Sequence, residues 1–164
     1  MKYVKVLAIV ALLFATAATS VRSAVPDAGL RHVFNIHARC DRARDLGAVP
    51  GGKRVMIPIT GGSVEGDISA DILPGGADYQ MIDTVSGRVE LDASYTILTS
   101  DSCLINVRNI GVNVVDSCGY YFATSPKFEA PVNSRYNWLN NRIFVCKPSG
   151  FGDGIVHLSV WALE

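Results

Sequence analysis

Three double glycines, Gly51-Gly52, Gly61-Gly62 and Gly75-Gly76, divide short runs of apolar and β-branched residues, and this punctuation is the strongest constraint on the fold. Glycine supplies the positive φ of tight turns, whereas β-branched residues suit a pleated, half-buried surface. The spacing predicts an antiparallel meander with strands over 54–60, 63–73, 77–84 and 88–99, turning at the glycines and at Ser86-Gly87. Successive hairpins at this spacing belong to an antiparallel sandwich or a closed barrel.

The flanks extend the pattern. Leu30–Cys40 alternates, with Phe34, Ile36, Ala38 and Cys40 on one side and Asn35, His37 and Arg39 on the other. That is a strand with one wet face. Residues 41–49 read as a charged loop ending at Pro50-Gly51-Gly52, with room for at most a short helix. Residues 103–110, 120–124 and 142–146 read as further strands, and Ile155–Leu163 closes the sheet against the first. Closure of that kind brings His37 and His157 near one another. A metal there needs a further ligand from elsewhere, and none is expected.

Residues 1–20 open with Lys2 and Lys5 and continue through an unbroken apolar or small-residue run over 6–18. Such a run falls short of the roughly 20 residues that cross a bilayer. Ala18 and Ser20 are small residues placed for signal-peptide cleavage after Ser20, with sites up to residue 24 also open. The expectation is a secreted protein whose single domain, 25–164, has no membrane attachment once the signal is removed. At about 140 residues it is the size of one domain. Lys+Arg and Asp+Glu number 15 each, so there is no basic stripe for nucleic acid and no polybasic patch for anionic lipid. No G-x-S-x-G elbow, H-E-x-x-H pair, P-loop or dinucleotide fingerprint occurs. The glycine pairs fall between strands, so a phosphate cradle would lack its helix dipole. No cofactor is expected.

P-G-G-K-R, I-P-I-T-G-G, L-P-G-G-A-D-Y and L-D-A-S-Y-T, followed by Y-Y-F-A-T-S-P-K-F-E and Y-N-W-L-N, resemble the UPF0311/DUF3237 family in order and spacing. The likeness runs from Phe34 to Leu163. It implies an all-β fold, a single antiparallel up-and-down barrel resembling calycins, and it implies no settled biochemistry. The family typically reads L-D-A-R-Y where this chain has Leu91-Asp92-Ala93-Ser94-Tyr95. The resemblance therefore implies an aspartate–arginine pair inside the barrel, from which Ser94 has removed the cation. Asp92 is then solvated, bonded to another donor such as Arg108, or raised in pKa by burial.

Candidate site residues follow from that reading. In strand 88–99 one parity holds Val89, Leu91, Ala93, Tyr95 and Ile97, and the other holds Arg88, Glu90, Asp92, Ser94 and Thr96. By alternation alone the polar set faces water and the scattered aromatics are packing residues. If instead the polar set faces the lumen, Asp92 meets Asp78 and Tyr79 from the preceding strand and Asn109 from the next. Asp92 and Asp78 are then the acid–base candidates, while Tyr79, Tyr95, Asn109, Tyr121 and Trp138 are the ligand-binding candidates. Whether the chain is an enzyme stays open. One class is a cofactor-independent cyclase or isomerase acting on a small apolar or aromatic metabolite. The other is a non-catalytic binding or host-interaction barrel. A homo-oligomer is left open.

Four cysteines, Cys40, Cys103, Cys118 and Cys146, are separated by 62, 14 and 27 residues with no C-x-x-C pair. In an exported chain this favours two disulfides over a metal site. In an up-and-down barrel Cys40 and Cys146 close strands that reach one rim, which favours Cys40–Cys146 and leaves Cys103–Cys118.

Overall fold

The computed structural model describes residues 28–150 and 153–164; the expected signal peptide lies outside the described residues. Ten strands occur among these: β1 (Leu30–Cys40), β2 (Arg44–Val49), β3 (Gly52–Gly66), β4 (Ala70–Ile72), β5 (Gly76–Ile82), β6 (Val89–Thr99), β7 (Leu104–Asp116), β8 (Gly119–Glu129), β9 (Phe144–Ser149) and β10 (Ile155–Leu163). A 3-10 turn, Asn137–Asn141, precedes β9. Pairing runs β1-β10-β9-β8-β7-β6, passes through β4 and β5 to β3, and returns from β3 to β1. β4 and β5 share one stave, because each pairs with both β3 and β6 at different levels. The result is a closed eight-stave antiparallel barrel, one of the two architectures that hairpin spacing allows and the one the resemblance implies. Closure leaves the main wall without a free edge.

The middle glycine pair does not turn the chain. β3 runs straight through Gly61-Gly62, and its first half pairs with β2 and β5 while its second half pairs with β1 and β4. Gly61 and Gly62 have φ of 152° and 132°, and a Cβ on Gly62 would collide with the His37 carbonyl oxygen. Glycine is therefore what lets β3 lie this close to the β1 backbone where it changes partners. Residues 63–73, expected as one strand, are accordingly the tail of β3, a turn, and β4. The charged stretch 41–49, expected as a loop, supplies β2, which pairs with the first half of β3.

Inward-facing residues fill the barrel unevenly. At one end Phe34, Phe128 and Phe144 pack edge to face, with centroids 5.5 Å apart for Phe34–Phe128 and 5.0 Å for Phe128–Phe144. Ile97, Ile105, Val107, Leu139 and Val160 complete this fully buried layer. Aromatic pairs so arranged add roughly 0.5–1.5 kcal/mol beyond their buried area. Trp138, on the 3-10 turn, leans on Phe144 at 5.9 Å and caps that end. Towards the other end the same strands contribute Cys40, Asp78, Gln80, Leu91, Asn113, Phe122 and Val156, and there the lumen is open.

Candidate functional site

The open half of the lumen is a cavity of about 270 Å³. Its wall is apolar at Ile57, Val89, Leu91, Phe122, Ile155 and Val156, with Asp78, Gln80 and Asn113 as the polar groups and Cys40 beside them. Asp78 is the buried charge of this wall, 9% exposed. The Gln80 amide donates to its Oδ2 at 2.7 Å and the Asp92 backbone N–H donates to its Oδ1 at 3.1 Å. That second bond has a topological cause. β5 and β6 pair at Asp78↔Ala93 and again at Met81↔Glu90, with no pairing between, so the carboxylate takes a donor the ladder leaves over. Burial pushes the Asp78 carboxyl above the usual range, and the nearby Asp92 charge adds to this, while the two hydrogen bonds oppose it. A carboxyl poised this way can hold or pass a proton in an apolar room.

Below the cavity, between it and the phenylalanine layer, lies a polar tier of Tyr95, Asn109, Thr124 and Cys146, each under 10% exposed. Tyr95 Oη and Asn109 Oδ1 have no hydrogen-bond partner among the described residues. Burial raises the Tyr95 phenol, with Cys146 and Cys40 close enough to add to it. Burial likewise lifts the Cys146 thiol to about 11, with the Thr124 hydroxyl pulling the other way.

A second concavity lies on the outer face of the wall. It has a volume of about 780 Å³ and is lined by Arg54, Tyr79, Met81, Asp92, Ile110, Tyr121 and Val145, among others. Here Asp92 receives Arg108 Nε and Nη2, both at 2.8 Å. Those bonds hold its carboxyl below the ordinary value.

Residues 28–163 match the family described as "Protein of unknown function (DUF3237)". The chain belongs to the DUF3237 family. It is 34% identical over 146 residues to a UPF0311 protein of Rhodopseudomonas palustris, covering 80% of this chain and 94% of that one. A UPF0311 protein of Bradyrhizobium diazoefficiens is 32% identical with the same coverage. Among solved structures, a protein of unknown function from Clostridium acetobutylicum superposes with a TM-score of 0.76 at 32% identity, covering 84% of this chain and all of that one. A "beta-barrel like protein" of Acinetobacter baumannii gives 0.78 at 27% identity over 87% of this chain and all of that one. At 23% identity the fold is also shared with "an enzyme from Penicillium herquei", with a TM-score of 0.69 and coverage of 87% and 98%.

Within this DUF3237 barrel the seven site candidates separate into three places. Asp78 lines the lumen, and Tyr95 and Asn109 sit in the tier below it. Asp92, Tyr79 and Tyr121 do not face the lumen; they line the outer groove, with both tyrosines 49% exposed. The reason is the period of two. Tyr79 follows the inward Asp78, Tyr121 precedes the inward Phe122, and β6 turns its apolar parity inward, which sends Asp92 out. Trp138 lies on neither surface and belongs to the packed end. Gln80, Asn113, Leu91 and Phe122 were missed as lining residues. Their signal was parity, since Gln80 is two residues from Asp78 and Asn113 four from Asn109.

The four cysteines are all thiols in the structure, against the two expected disulfides. Cys103 and Cys118 flank opposite ends of β7, whose 13 residues span about 40 Å at roughly 3.3 Å per residue. Cys40 and Cys146 both approach Tyr95, yet they sit on β1 and β9 with β10 between them. Two stave spacings, roughly 9–10 Å, exceed the roughly 7 Å limit on Cα separation for a bridge. The histidine proximity is seen directly. His37 and His157 pair across β1 and β10 with Nδ1 atoms 2.7 Å apart, and His37 Nε2 lies 3.1 Å from Glu65. Among the described residues no group of three or more His, Cys, Asp or Glu converges as a metal-ligand set.

Proposed function

We propose that the open half of the barrel binds a compact apolar or aromatic metabolite, with Asp78 as its polar anchor and proton-handling group. One observation carries this reading: a single buried carboxylate, raised by desolvation, faces an otherwise mostly apolar cavity. A few convergent polar groups in an apolar hollow is the usual form of a small-molecule site, and about 270 Å³ lies at the lower edge of the roughly 300–1,000 Å³ such sites occupy. The occupant is therefore small, with Gln80 and Asn113 offering amides to its oxygens. Chemistry of the cofactor-independent isomerase or cyclase kind needs no more than a held substrate and one group able to give and take a proton. The Penicillium herquei fold relative is described as an enzyme, which favours turnover. Pure binding is the second reading, favoured by the lining itself, in which Asp78 stands without a second carboxylate or a histidine among the described residues. Export on the 1–20 signal is part of the same proposal.

The test is native mass spectrometry of the secreted protein, followed by titration with the released molecule. Asp78→Asn is expected to weaken binding or abolish turnover with the β-rich circular dichroism intact, and Asn113→Trp, which puts a bulky ring on the cavity wall, to block binding. Unchanged binding in both variants would overturn the lumen as the site.

A further inference from the structure

We infer that the outer groove is a second binding site, separate from the lumen, for a planar aromatic anion such as an aromatic carboxylate or phenolate. The groove measures about 780 Å³, well inside the range of ligand sites and nearly three times the lumen cavity. Its floor carries Tyr79 and Ile110 at 49% exposure, Tyr121 also at 49%, and Val145 at 37%. Half-exposed large side chains gathered in one hollow mark a recognition surface rather than random surface residues.

Charge then selects the ligand. Of the arginines near the groove, Arg88 is bonded to Glu90 and Arg108 to Asp92. Arg54 has no carboxylate within ion-pair distance among the described residues; its Nη1 makes one long contact, 3.5 Å, to the Tyr79 carbonyl oxygen. Asp92 is the carboxylate it acts on from farther away, and Asp92 is already held by both Arg108 nitrogens. A half-buried guanidinium with its fork unfilled, in a groove that two half-exposed tyrosines also line, suits a carboxylate or phenolate attached to a ring. Lys147 stands over the Tyr121 ring at 5.3 Å and makes that face more favourable to an anion.

A second copy related by a two-fold axis through the groove does not fill it. A two-fold contact places the same patch against itself, and a hollow facing a hollow leaves a void. A thin ring compound lies within the groove with room to spare.

The probe is 1-naphthoate, compared with the isosteric neutral 1-naphthamide, by calorimetry and by amide chemical-shift mapping. Naphthoate is expected to bind at least tenfold more tightly than the amide, with shifts at residues 54, 79 and 121. Arg54→Gln should bring naphthoate down to the amide's affinity and leave the amide unchanged; Tyr121→Ala should weaken both. Asn113→Trp, inside the lumen, should leave naphthoate binding intact. Equal affinity for the two probes, or full naphthoate affinity in Arg54→Gln, would overturn the groove site. So would shifts confined to residues 57, 89 and 113, an outcome that leaves the lumen reading standing.

Discussion

Tyr95→Phe is expected to stabilise the protein. The Tyr95 ring is 4% exposed within the buried core cluster, and its hydroxyl has no partner among the described residues. Taking a hydroxyl out of water without a compensating hydrogen bond costs about 1–3 kcal/mol on protein scales. Phenylalanine keeps the ring and its packing and removes only the oxygen, so the void left is far smaller than a methylene. The expected gain is about 1–2 kcal/mol, which for a domain of this size raises Tm by roughly 3–8 °C. Urea unfolding and calorimetry of ligand-free protein at pH 7 read it, with an unchanged m-value showing that the native state is compared with the same unfolded ensemble. A loss of 1 kcal/mol or more would refute the reasoning, because it would mean that Oη is bonded to something in the lumen that the phenol was built to meet. A gain that turns into a deficit when the lumen ligand is added would identify that partner as the ligand.

Two further outcomes are expected. Asp78 has a raised folded pKa, so its contribution is intact below the unfolded carboxyl value near 3.9 and is lost as pH rises through the folded value. Asp78→Asn should therefore gain stability relative to wild type between pH 3.5 and 7.5, by about 1.4 kcal/mol for every tenfold difference in proton affinity between the folded and unfolded carboxyl, with the constant effects of the amide cancelling in the pH difference; a flat or reversed difference refutes it. For the thiols, intact mass should equal the fully reduced value, and a disulfide reagent should modify exposed Cys118 first and buried Cys146, with its thiol at about 11, last. A native mass two or four hydrogens lighter would contradict the wall geometry.

Much of the barrel could be read from alternation. Leu30–Cys40 and Ile155–Leu163 are strands over the residues predicted, and they close the sheet as their position required. The same rule also contained the correct placement of Asp92, since Val89, Leu91, Ala93, Tyr95 and Ile97 form an unbroken apolar parity that burial selects for the inside. The resemblance, with its implied internal ion pair, pulled the reading the other way. Adjacent residues such as Asp78 and Tyr79 could never share a face. What alternation does not encode is partner exchange. Nothing local distinguishes a glycine pair that ends a strand, as at Gly51-Gly52, from one that carries a strand between two sets of neighbours, as at Gly61-Gly62. That distinction is made by the His37 backbone lying against Gly62, a contact between residues 25 apart.

The departure from the family pattern at Ser94 resolves in the same cross-strand terms. Ser94 stands directly opposite Arg108 in the β6–β7 register, and Asp92 lies two residues along on the same face. Diagonal neighbours on an antiparallel pair are about 7–8 Å apart at the backbone, within the reach of an arginine. Arg108 spans that diagonal and binds Asp92 through two nitrogens at 2.8 Å. Where the resemblance implies a guanidinium on the aspartate's own strand, this chain supplies one from the facing position of the next strand, and the charge pair lies on the groove side of the wall rather than inside the barrel. Because both partners are substantially exposed, at 63% and 42% of their side chains, the pair contributes little to stability. Its consequence is electrostatic and local. With Asp92 occupied by Arg108, the guanidinium of Arg54 in the same groove is left to meet an anion that none of the described residues provides.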